Sequence, residues 1–153
     1  MRCPWLVIAF VSASAIAQNP ALAPRVPPDI SKSVTWEQVK SLDRALAPYI
    51  ERAQKTFPGV EARFSAGLPE GHSLFVTAKL YDECGKSELA FISVTGIQGG
   101  IVEGRIWSNL KVVTFYRFRD RYAFPRDQLV DWLITYPDGT EEGNVLGKFM
   151  GDK

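Results

Sequence analysis

Histidine occurs once in this 153-residue chain, as His72, and cysteine twice, as Cys3 and Cys84. So few soft or nucleophilic side chains leave no metal cluster, no cofactor motif and no local Cys–His pairing. Charge of one sign is equally scarce: 18 basic residues face 17 acidic ones, for a net charge of +1. A dedicated nucleic-acid binder would show a basic excess, so that class is set aside. The chain has no apolar run near the ~20 residues that cross a bilayer. What remains is ordinary for a globular core, with 46% apolar, 12% aromatic and 23% charged residues. The length fits one domain.

The first residues carry an address. "MRCPW" is a short cationic start, followed by the apolar run Leu6–Ala17 and an A-x-A at Ala15 and Ala17. That is the pattern of a secretory signal peptide over 1–17. The expected mature chain begins at Gln18 and is periplasmic or secreted, with no transmembrane segment after cleavage. A second site at Ala21–Ala23 is followed by Pro24, which disfavours it. Cleavage removes Arg2 and Cys3, leaving 17 basic against 17 acidic residues and Cys84 as the single thiol. An intramolecular disulfide is then impossible, and Cys84 either stays free or pairs two chains. Residues 18–33 hold four prolines and read as an extended spacer before a domain over 34–153.

The expected fold class is α+β. Thr35 and Gln38 form a capping box. Trp36, Val39, Leu42, Leu46, Ile50, Ala53 and Phe57 then recur at steps of three or four, one apolar helical face. Pro48 predicts a kink or a split, and Phe57-Pro58-Gly59 predicts the helix end, with a shorter helical piece at 60–65. The period then switches to two. Leu74–Tyr81, Glu88–Thr95 and Ile101–Trp107 alternate between short glycine-bearing turns, as an antiparallel meander with one buried face does. With the strand "WLITY" and its neighbours, about five strands are expected under the helix, in two layers.

Two stretches invite a functional reading. In "KVVTFYRFRDRYAFPR", Arg117, Arg119, Arg121 and Arg126 alternate with aromatics. Such interleaving suits an anionic chain with stacked rings. It equally suits a half-exposed strand pair with rings inward and arginines outward, which is the expectation here, since Asp120 and Asp127 dilute the charge. In "DWLITYPDGTEEGN", four carboxylates surround one turn. A calcium loop counted from Asp138 would need a closing carboxylate where Phe149 stands, so no metal site is expected. Pro137, Asp138 and Gly139 fit a type I turn with a positive φ after it, which makes the stretch a hairpin with a solvated acidic rim.

The succession "FPRDQLVDWLI", "PDGTEEGNVLGKF", "ELAFISV" and "VEGRIW" resembles the bacterial YegJ-like proteins, domain of unknown function 2314, over 46–149. Asp131-Trp132 and Glu142-Gly143-Asn144 carry the resemblance most specifically, with Glu88 and Gly104 matching more weakly. Many members place a histidine and then a tryptophan after that glutamate. Here those positions are Leu89 and Phe91, which withdraws any role for the histidine. The resemblance implies a small bacterial protein, sometimes exported, and no established activity.

Two function classes therefore stand. One is a non-catalytic binding domain of the cell envelope, taking an envelope protein or an anionic polymer on a sheet face with Arg105, Trp107, Arg117 and Arg119. The other is a small hydrolase using Glu88, Asp131 or Glu142, which would need two of them to converge within ~5–10 Å.

Overall fold

Alternating apolar residues form strands where the pattern places them. The computed structural model describes the backbone of residues 36–151 and the side chains of 44–149; the expected leader, spacer and Thr35 cap lie outside these. The helix α1 spans Trp36–Ser65. The strands are β1 (Ser73–Tyr81), β2 (Ser87–Gln98), β3 (Ile101–Ile106), β4 (Arg121–Pro125), β5 (Leu129–Thr135) and β6 (Glu141–Gly143), and a short helix α2 (Val145–Gly151) follows. They make one six-stranded antiparallel sheet in the order β4-β3-β2-β1-β5-β6. The fold is thus α+β, with one strand more than expected.

The helix covers one face. Ala53, Phe57 and Val60 of α1 join Leu74, Val76, Ala78 and Leu80 of β1, Ala90 and Ile92 of β2, and Trp132 and Ile134 of β5 in the main core. The helix neither splits at Pro48 nor ends at Pro58-Gly59. Both prolines are exposed. Each removes one backbone donor on the solvent side, where water can satisfy the freed carbonyl. Val60 and Phe64 extend the buried stripe of Phe57 past the second proline, and their burial outweighs its cost.

A second correction concerns Lys111–Arg126. Only Arg121–Pro125 is strand; residues 107–120 form a loop. Glu88 explains why. Its carboxylate accepts the backbone N–H groups of Lys111, Val112 and Val113 at 2.8–3.1 Å, so that segment has no donors left for a ladder. Arg119, at φ 72°, then turns the chain back toward β4.

The other face of the sheet is not all polar. Phe75, Phe91 and Leu133 are buried there, with Trp107 packed against them. At one end, α2 closes over β5 through Leu46, Val130 and Leu146, and the Tyr49 and Phe149 rings meet at 4.5 Å. Between these clusters the face stays open.

Candidate functional site

Asp131, Trp132, Glu142, Gly143 and Asn144 interlock at the β5–β6 corner. Asp131 is buried, and its two oxygens accept the N–H groups of Trp132 (2.8 Å) and Leu146 (2.7 Å), tying α2 to the sheet. Burial pushes its carboxyl above the ordinary aspartate range, and these two backbone donors pull it back. The Trp132 ring fills the core and its Nε1 donates to Thr56 Oγ1 at 3.0 Å. Gly143 sits at φ 84°, and a Cβ there would lie 2.7 Å from the ring's Cε3 and Cζ3 and collide with the Trp132 carbonyl. Only glycine fits. Asn144, at φ 53°, donates its N–H to the same carbonyl (2.8 Å) and its Nδ2 to Glu141 (2.7 Å). Gly104 is likewise crowded, since a Cβ would strike Ser93 and Ile92.

The hairpin between β5 and β6 has the expected turn. Gly139 N–H donates to the Tyr136 carbonyl (3.0 Å), Tyr136 N–H to the Thr140 carbonyl (2.9 Å), and Gly139 has φ 86°. Glu142, however, is more than a solvated rim. It accepts two hydrogen bonds from Arg63 (2.8 and 3.0 Å) and one from the Tyr136 hydroxyl (2.6 Å). The Arg63 guanidinium, with the tyrosine, holds its carboxyl below the ordinary glutamate range.

These carboxylates do not converge. Glu88 pairs with Leu80 and so shares the helix-covered face, whereas Asp131 pairs with Thr77 on the opposite one. Glu142 shares Glu88's face but lies on β6, three strand spacings or roughly 14 Å away from β2. His72 and Cys84 fare no better as a pair, because they flank opposite ends of β1, about 30 Å apart. Among the described residues no group of three or more His, Cys, Asp and Glu side chains could hold a metal ion.

The open face does gather three of the four expected contact residues. Trp107, just past β3, donates its N–H to the Phe91 carbonyl (2.7 Å). Its ring lies 6.3 Å from Phe75 and 5.0 Å from Phe118. The Arg119 guanidinium lies 5.4 Å from both the Trp107 and Phe118 centroids, a cation–π arrangement. Arg105 Nη1 donates to the Arg119 carbonyl at 3.1 Å. Arg105 also stands directly opposite Arg121 across the β3–β4 ladder. Like charges so placed repel, and neither guanidinium meets a carboxylate within salt-bridge distance among the described residues. Glu103 occupies the next position on this face of β3.

Arg117 is not brought into the cluster. It is exposed in the preceding turn, where its N–H donates to Asp120 (2.8 Å). The Trp107 Nε1 is buried with no partner among the described residues. A donor buried in this way costs about 1–3 kcal/mol unless water reaches it.

Beside this cluster runs an apolar cleft of about 390 Å³, counting space open to solvent, lined by Thr77, Leu89, Phe91, Ser108, Asn144 and Leu146 among others. Ser108 Oγ accepts the Phe91 N–H at 2.9 Å and holds the rim of the cleft to β2. Phe91, Phe118 and Ser108 were not among the expected site residues. Their signal was the apolar side chains at Phe75, Leu89 and Phe91, which break the polar half of the alternation. No protein-family model, no curated protein and no solved structure matches this chain.

Proposed function

We propose that this chain is an exported bacterial protein of the YegJ-like kind, acting as a non-catalytic binding domain of the cell envelope that takes an anionic partner on its open sheet face. The observation that carries the reading is the joining of Arg105, Arg119 and Trp107 on that face, next to Arg121 and with no acid paired to either strand arginine. An anion placed there would relieve the repulsion between Arg105 and Arg121 and gain charge-assisted hydrogen bonds from planar donors. The hydrolase reading loses ground for a geometric reason. Each of its candidate carboxylates is bonded within its own corner of the fold, and no two approach each other.

Titration of the mature protein with inorganic polyphosphate at low salt tests the reading. Binding should weaken with salt, and Arg105→Ala with Arg119→Ala should weaken it by about tenfold or more, as two charge-assisted contacts would. Absence of binding, or equal binding by the double variant, refutes it. Export rests on the Arg2 start and the Ala15–Ala17 site. Intact-mass measurement on the native protein should find Gln18 first; a soluble chain retaining Met1 would contradict it. Cys84 is exposed in the β1–β2 turn, which leaves its thiol accessible for pairing two chains, and non-reducing electrophoresis reads this directly.

A further inference from the structure

Among the described residues, three of the four exposed large hydrophobic side chains belong to one end of the sheet. Phe115 (64% exposed) and Phe118 (42%) lie on the β3–β4 loop, and Tyr81 (55%) ends β1. Tyr81 pairs with Ser87, next to the Glu88 whose carboxylate holds the start of that loop, which places the β1 end beside it. The loop is not loosely held. Glu88 grips its start through three backbone N–H groups. Tyr116 packs on the core and stacks edge-on against Tyr122 at 5.5 Å. A loop anchored this firmly could have turned its rings inward, yet Phe115 and Phe118 are held outward.

Basic residues predominate around these rings: Lys79, Lys86, Lys111, Arg117, Arg119 and Arg121 stand against Asp82, Glu83, Glu88 and Asp120. Asp120 is also partly engaged, accepting the Arg117 N–H. Exposed rings ringed by cations match an anionic lipid surface, where apolar groups enter the headgroup boundary and cations stay at phosphate level. A soluble polyanion offers the charge but nothing for Phe115 to enter.

We infer that the β3–β4 loop docks this domain on an anionic phospholipid surface, with Phe115 and Phe118 entering the headgroup boundary and Arg117, Arg119 and Arg121 meeting lipid phosphates. The inference rests on the anionic-partner reading and names its source. The three arginines flank the two rings in sequence, so one approach of the loop engages both kinds of contact. No helix among the described residues is long and apolar enough to cross a membrane; the contact proposed here is peripheral.

Co-sedimentation with phosphatidylglycerol–phosphatidylcholine vesicles, against pure phosphatidylcholine vesicles and inorganic polyphosphate, tests it. The mature protein should bind the anionic vesicles and leave the neutral ones. Phe115→Ala should reduce vesicle partitioning roughly tenfold, from the apolar area it no longer buries, and leave polyphosphate binding unchanged. Arg117→Ala should cost about fivefold on anionic vesicles. Both residues are exposed, so neither change threatens the fold. Polyphosphate binding without vesicle binding overturns the membrane inference and keeps the anionic reading. Loss of both overturns both. Vesicle binding indifferent to Phe115→Ala overturns the insertion of the loop.

Discussion

Truncating Trp132 is the sharpest perturbation the β5–β6 corner can take. The side chain is 7% exposed and lies in the main core between α1 and Gly143. Truncation to alanine removes the ring's buried apolar area and leaves a cavity that the surrounding strands close only in part. Such changes cost about 3–5 kcal/mol. The Thr56 hydrogen bond adds little to this figure, because Thr56 is an exposed residue whose hydroxyl can return to water and to its own helix carbonyls. The backbone bond from Asn144 to the Trp132 carbonyl survives the change, so the corner should loosen without coming apart. For a domain of this size the loss corresponds to a melting-temperature drop of roughly 10–20 °C. Circular dichroism melts and urea midpoints would read it. Thr56→Val is the control, with an expected loss of about 1 kcal/mol or less. If Trp132→Ala melts within a degree or two of the parent, the ring is not a core element and the account of Gly143 built on it fails too.

The remaining expectations concern the carboxylates. Glu142 is held below its ordinary pKa by Arg63, so its contribution is fully present above the ordinary glutamate range and is lost as pH falls through its folded value. Both side chains are more than a third exposed, which limits the effect to about 1 kcal/mol or less. Glu142→Gln should therefore flatten acid denaturation slightly and match the parent at low pH; an unchanged pH profile counts against the pair. Asp131→Asn leaves one acceptor for two backbone N–H groups and turns a donor toward the other, so it should lower neutral-pH stability by about 1–3 kcal/mol. Equal stability would mean that the burial cost of the carboxylate matches all its capping. Asp138 is engaged by Thr140 and Glu142 by Arg63 and Tyr136, so millimolar calcium should leave the melting temperature unchanged. A saturable rise abolished by Glu142→Gln would restore a metal loop at the hairpin.

Much of this architecture was legible because local chemistry and burial agree. The period-two runs gave β1 to β3 with ends shifted by at most three residues, and Pro137-Asp138-Gly139 formed its turn as the φ preference of glycine requires. The departures share a cause: contacts between residues far apart in sequence. Nothing near Lys111 announces that Glu88, on another strand, will take three of its neighbourhood's backbone donors and abolish a strand. Nothing near Pro58 announces that the prolines will face water while Phe57 and Val60 face the sheet. The candidate site was legible in part. Arg105, Trp107 and Arg119 did come together, but through a left-handed Arg119 and a ring, Phe118, whose outward turn no alternation rule predicts.

Glu88 joins the two halves of this picture. It lies on the helix-covered face, 7% exposed, where a carboxylate would be costly without donors. The three N–H groups it accepts belong to the loop that goes on to present Phe115, Arg117, Phe118 and Arg119. The cost of burying one charge is thus offset by ordering the segment on which the proposed contact residues sit. A buried carboxylate can on this ground position a surface without touching anything bound there. Leu89 and Phe91, which follow Glu88 along β2, lie on the open face beside that loop and line the cleft. Exchange at those two positions would change the chemistry of the cleft and leave the Glu88 anchor intact.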